Sequence, residues 1–158
     1  MQGQAPSDWE REQAERDWRE SAFTLPAYPA PQALLPFFVS SASSFSFFID
    51  GASLSATQDG VVRYVLVARS AQGSESVSFE GIRCSKEEYR IYATGQPDRS
   101  WTPSRSTWRP IDPRSVQRWH QVLYKEYFCP LGNSISSAAE GLDALRLGGH
   151  PRRARTGD

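Results

Sequence analysis

Residues Val61 to Arg69 restrict the fold more than any other stretch of the chain. Val62, Tyr64, Leu66 and Ala68 share one parity, and Val61, Val65 and Val67 share the other. Successive side chains of a strand point to opposite faces, so this run is apolar on both. Such a strand belongs at the centre of a sheet that is covered on both sides. Asp59-Gly60 before it and Ala71-Gln72-Gly73-Ser74 after it are turn sequences, the first of hairpin type. Neighbouring strands joined by short turns predict an antiparallel meander.

Further strands follow from the same reading. Phe45, Phe47, Phe48 and Ile49 predict an earlier strand that ends at Asp50-Gly51. In Ser76 to Cys84 the alternation slips: Val77 and Phe79 share one parity, Ile82 and Cys84 the other. One extra residue near Glu80-Gly81 would bring all four to one face, so a β-bulge is expected there. Tyr89 to Thr94 predicts a last strand with Tyr89, Ile91 and Ala93 on one face.

The flanks read differently. Residues 1–22 are charge-dense, with acids and bases three or four apart, which supports a solvated helix. Trp9 and Trp18 fall about 180° apart on a helix, so one of them at most can dock. Residues 23–44 carry Pro26, Pro29, Pro31 and Pro36 and predict an extended wrapping segment, whose Leu34, Leu35, Phe37 and Phe38 cover the core. Asp112-Pro113 is a helix-start sequence. Val116, Trp119, His120, Leu123 and Tyr127 then form one stripe, and Cys129-Pro130-Leu131-Gly132 stops it. A second helix is expected over 134–147, with Ile135, Ala138, Leu142 and Leu145 inward; Ser137-x-x-Glu140 has capping-box spacing but falls inside it. The tail, 148–158, is basic and expected to be disordered. The division is thus a charged arm (1–22), one α+β domain (23–147) with C-terminal helices packed on an antiparallel sheet, and a tail. A chain of 158 residues with 39% hydrophobic residues suits one domain with a real core.

Charge excludes some classes of function. The 18 basic residues match the 18 acidic ones, so no global field draws the chain to nucleic acid or an anionic membrane. Arginines are spread from Arg11 to Arg155 instead of clustering on one element. No apolar run approaches the roughly 18–20 residues needed to span a bilayer. Met1 to Pro6 leads straight into charged residues, which is not a signal-peptide pattern. The two cysteines, Cys84 and Cys129, have neither metal-site nor redox C-x-x-C spacing. They are a disulfide or two buried thiols. A disulfide would close a loop of about 45 residues, worth about 4 kcal/mol in the chain-entropy model. It would place the chain in an oxidising compartment.

Several segments together resemble one known family. They are Phe48-Ile49-Asp50, Ser53-Leu54, Asp59 to Tyr64, Val77-x-Phe79-Glu80-Gly81-Ile82-Arg83-Cys84, Arg90-x-Tyr92-Ala93, Trp108 and Tyr127-Phe128-Cys129-Pro130. This skeleton, over roughly residues 20–147, is similar to the cryptic neisserial protein one-like family of Gram-negative envelope proteins. The resemblance implies a periplasmic or outer-envelope home, with a lipid anchor on the precursor as one form of it, and supplies no activity. A fainter likeness to surface-adhesin E-type domains implies an antiparallel sheet with flanking helices and a disulfide. The long helix before Cys129 departs from that pattern, and a shared fold does not carry a function.

No catalytic motif is present. His120 lies on the helical stripe and reads as a core histidine bonded to a backbone group; as a general base it would need an orienting acid and a nucleophile. His150 falls in the tail. No acidic cluster, phosphate loop or ligand set implies a metal or cofactor. Glu80, Arg83 and Arg90 lie on neighbouring strands, where a cross-strand ion pair is expected. Arg83 and Arg90, with Tyr92, Trp101 and Trp108 beside them, otherwise read as a patch for a small anionic ligand or an envelope protein partner. The expected function is a non-enzymatic envelope binding module. A structural or assembly-assisting envelope protein comes second and an enzyme using His120 third.

Overall fold

The computed structural model describes residues 7–154. Eight strands form one antiparallel sheet: β1 (Leu34–Phe37), β2 (Ser46–Asp50), β3 (Ser55–Ala56), β4 (Val61–Arg69), β5 (Glu75–Arg83), β6 (Glu88–Gly95), β7 (Trp101–Pro103) and β8 (Arg109–Pro110). Their order is β1-β2-β4-β5-β6-β7, with β3 also on β4 and β8 on β6. The doubly apolar β4 is central, and Val61 to Ala68 are all buried. Its two faces feed two separate cores. Val62, Tyr64, Leu66 and Ile82 pack beneath the C-terminal helices; Val65, Val67, Val77 and Phe79 pack beneath the N-terminal segment.

The slip of parity in β5 is a change of covered face and not a bulge in that strand. β5 pairs with β4 without a register shift, from Val61↔Arg83 to Arg69↔Glu75. Val77 and Phe79 therefore stay on one face and Ile82 and Cys84 on the other, each with its own core. The irregularity sits in β6, where Phe79 pairs with Ala93 but Glu80 with Ile91, leaving Tyr92 as the extra residue. Tyr89 consequently packs on the helix side and Ala93 in the second core, so the shared face expected for them does not hold.

Leu34–Phe37, expected to be irregular, is an edge strand. Pro36 is tolerated there because an outermost strand has a side free of ladder bonds. Phe37 is buried, whereas Phe38 is 69% exposed and covers nothing. Asp112-Pro113 opens a turn, not a helix. Asp112 Oδ1 accepts from the Arg114 amide at 2.9 Å, a local bond that competes with helix formation. Helix α2 (Trp119–Val122) begins later and continues as a π-helical stretch, Leu123–Phe128. Val116 lies outside it, fully in solvent, while Trp119, His120, Leu123 and Tyr127 pack on the sheet. Helix α3 (Ala138–Leu147) starts where Ser137 accepts from the Glu140 amide. The Ser-x-x-Glu spacing thus marks the true N-cap, and Ile135 is buried upstream of it. Cys84 and Cys129 form a disulfide, Cα atoms 5.5 Å apart, joining the end of β5 to the end of the π-helical stretch.

At the N-terminal end the charged segment is a helix, α1 (Asp8–Asp17), with a capping box at Ser7 and no buried side chain. In the tail expected to be disordered, His150 is buried and its ring meets Glu140 Oε2 at 2.6 Å. Arg153 pairs with Glu126 at 2.9 Å. Residues 1–6 of the arm and 155–158 of the tail lie outside the described residues.

Candidate functional site

On the face of the sheet away from α2 and α3, the second core gives way to arginines. Gly81 of β5 pairs with Arg63 of β4 on one side and Arg90 of β6 on the other. Arg83, two residues along β5, shares their face. Gly81 has no side chain, and the Tyr92 ring occupies the space above it; a Cβ there would stand 2.6 Å from Tyr92 Oη. One buried patch thus holds three guanidiniums and a phenol. Arg63 is 2% exposed and Arg83 7%. Buried cations require carboxylates within reach.

Those carboxylates come mostly from the N-terminal arm. Glu20 accepts from Arg63 at 2.7 Å, from Arg90 at 2.7 Å and from Tyr92 Oη. Glu15 pairs with Arg83. Trp18 lies between them: the Arg83 guanidinium sits 3.6 Å above its ring, and its Nε1 donates to the Asp59 carbonyl at 2.8 Å. Trp108 meets Trp18 edge-on with centroids 6.1 Å apart. Trp18, not the largely exposed Trp9, is therefore the one docked indole. Phe23 then packs on Tyr92, 4.3 Å between centroids. The domain itself supplies one acid, Asp59, which accepts from Arg63 at 3.0 Å and from the Ser21 amide at 2.8 Å.

The electrostatics follow from this geometry. Burial pushes Asp59 up, but hydrogen bonds from Thr57, the Ser21 amide, Arg63 and the Val61 amide outweigh it and hold it at about 2. Burial lowers Arg63, and the bond to Glu20 overrides it, so its affinity for the proton rises. Burial and the Glu20 carboxylate both raise Tyr92, which stays a phenol that donates. What the patch does chemically is bind carboxylates: bidentate-capable guanidiniums and a phenol O–H converge, and aromatic rings flank them.

Of the sequence candidates, Arg83, Arg90, Tyr92 and Trp108 come together here. Trp101 stands further along the same face, where its Nε1 donates to the Pro26 carbonyl at 2.9 Å and holds the extended segment down. The sequence reading missed Arg63, Asp59 and the arm residues. A signal for Arg63 was present, because an arginine in the interior of a doubly apolar strand must find an acid. Beside Arg63 opens a cleft of about 540 Å³, bounded by Phe23, Pro26, Tyr28, Asp50, Thr57 and Phe79.

Glu80 does not pair with Arg83 or Arg90, because it points to the opposite face. It is 1% exposed and accepts from Tyr64 Oη at 2.8 Å, Ser78 Oγ at 2.7 Å and Trp119 Nε1 at 3.2 Å. His120 Nε2 stands 2.9 Å from it. An ionised carboxylate can only accept, so His120 donates through Nε2. Burial raises Glu80, and the imidazole with the two hydroxyls more than reverses this, leaving it below the ordinary carboxylate range. His120 thus bonds a carboxylate and not the backbone. It is 2% exposed and stacked on Tyr89 at 3.8 Å, sealed from solvent.

Among the described residues no group of three or more His, Cys, Asp or Glu could hold a metal, and no helix is long and apolar enough to cross a membrane. A family model described as the CNP1-like family matches residues 13–146. No curated protein and no solved structure matches the chain.

Proposed function

The chain belongs to the CNP1-like family, and from its sheet face we propose that it is a non-enzymatic binding module of the cell envelope that recognises carboxylate-bearing ligands. One observation carries this reading. Arg63, Arg90 and Tyr92 close on a single carboxylate, and Arg83 on a second, brought by a segment from 43 to 72 residues away in sequence. Four donors on three strands that agree on such a segment make a recognition surface as well as a brace. The Cys84–Cys129 bond supports a periplasmic or outer-envelope site, since such bonds persist where thiols are not kept reduced.

The test is a two-dimensional NMR titration of the full chain with an oligo-glutamate peptide and with an oligo-lysine control. Shifts centred on Arg90, Tyr92 and the Trp108 indole with the acidic peptide alone, abolished by Arg90→Ala, are expected. Arg90 is the replacement of choice because its side chain is already 30% exposed. An acidic peptide that leaves these signals unmoved would refute the reading. The alternative role in envelope assembly draws on a different place, the exposed Phe38 and Phe45 beside the β1 edge. It predicts a concentration-dependent oligomer in sedimentation that Phe38→Ser abolishes.

A further inference from the structure

We propose that residues 15–21 are a displaceable occupant of the arginine face, and that the partner it makes way for is a protein segment carrying two carboxylates around an indole, as in Glu-x-x-Trp-x-Glu. This rests on the carboxylate-binding reading above and adds how the site is regulated and what it selects.

The two sides of the contact are unequal. Helix α1 buries no side chain, and its link to the domain is Glu15, paired with Arg83 and 3.9 Å from Lys86. A ten-residue helix that is polar all round draws little stability of its own in water. On the domain side, lifting the arm leaves Arg63, Arg83, Lys86 and Arg90 facing Asp59 alone. That excess of positive charge suits an acidic replacement. Yet the sheet does not lose its footing. Arg63 keeps Asp59 and its 2.9 Å bond to Thr57 Oγ1. The Arg90 and Lys86 side chains already reach water. Arg83, covered by the Trp18 ring, is uncovered when that ring leaves.

A hinge is also present. Ser21 is the last residue of the arm tied to Asp59, and Pro26 is the first point held by Trp101. Between them Ala22, Thr24 and Leu25 are exposed, and Phe23, itself 38% exposed, rests one side of its ring on Tyr92. The arm can therefore swing about this segment while the strap from Pro26 onward stays in place. Selectivity comes from spacing. The first carboxylate reaches Arg83, the indole fills the gap between Arg83 and Trp108, and the second carboxylate meets the Arg63–Arg90–Tyr92 trio.

The experiment measures fluorescence anisotropy of a labelled peptide with the sequence of residues 12–21. It is added to the full chain and to the full chain carrying Glu15→Gln and Glu20→Gln. A short tether presents its own arm at an effective concentration on the order of millimolar. Weakening the arm should then tighten peptide binding by roughly 10–100-fold, and Arg90→Ala should remove it. If the double variant does not give a native circular-dichroism spectrum, Trp18→Ala, which keeps both carboxylates, takes its place with the same expectation. Equal binding by both proteins would leave the surface reading standing and overturn displacement. No binding by either, with trypsin cutting faster at Arg16 and Arg19 in the variant, would show a free arm and an inert face and would overturn both. Dimers of the unchanged protein that the peptide dissolves would put a second copy's arm on the face and overturn a separate partner.

Discussion

Replacing Gly81 by alanine tests the centre of the arginine face with a change of one methyl group. Gly81 does not have a positive φ, so its backbone accepts alanine. On chain entropy alone the change should stabilise the fold by about 0.4–1 kcal/mol. The packing argues the other way. The new Cβ would stand 2.6 Å from Tyr92 Oη, 2.9 Å from Cε2 and 3.1 Å from Cζ. Tyr92 has little room to retreat, since Glu20 holds its hydroxyl, Phe23 and Phe79 flank its ring, and the Arg90 guanidinium lies 4.9 Å from the ring centroid. Overpacking of a filled core costs about 1–3 kcal/mol. The net expectation is a loss of about 1–2 kcal/mol, which lowers the melting temperature of a chain this size by roughly 2–8 °C. Thermal unfolding followed by circular dichroism reads this directly. The same replacement in a Tyr92→Ala background should be neutral or stabilising, because nothing then opposes the methyl, and the cycle should show coupling of about 1 kcal/mol or more. A melting temperature that stays or rises with Tyr92 present, or an equal cost in both backgrounds, would refute the claim that this glycine makes room for the phenol.

Three other outcomes are expected. Converting both Cys84 and Cys129 to alanine should cost about 4 kcal/mol and roughly 10 °C in melting temperature, given the 45-residue separation; an unchanged melting curve would contradict the stapling argument. Glu80→Ala strands the imidazole, phenol, indole and hydroxyl that now meet its carboxylate, and should lower stability by about 3–5 kcal/mol in urea titration; a loss below about 1 kcal/mol would mean the network is dispensable. Folding lowers Asp59 from 3.8 to about 2, so its contribution is complete above pH 3.8 and disappears as pH falls toward 2. About 2 kcal/mol should be lost across that window, and Asp59→Asn should remove this part of the acid limb.

Local pattern carried the sheet and failed at the places where distant residues decide. Val61–Arg69 announced a strand covered twice, and the glycine turns around it announced its neighbours. The spacing of Cys84 and Cys129 excluded a metal site and a redox motif but left a disulfide and two buried thiols both open, and the fold decides it by bringing the two sulfurs together. The parity slip in Val77–Cys84 was visible, but only the arrival of a second layer shows that it is a change of core and not a bulge. Asp112-Pro113 has the chemistry of both a helix cap and a tight turn, and the sequence gives no reason to prefer the turn. The candidate residues Arg83, Arg90, Tyr92 and Trp108 could be read as a patch. What covers them could not, because Glu15, Trp18 and Glu20 are too far along the chain for any periodicity to connect them.

Coverage of the second face by the N-terminal segment has a consequence for how the chain is made. Asp59, Arg63, Arg83, Arg90, Tyr92 and Trp101, which receive residues 15–26, lie 38 to 75 residues later. Residues 15–26 are therefore synthesised well before the surface that receives them. They can close only after β6 and β7 have been laid down, so this face of the sheet is finished by a segment made long before it.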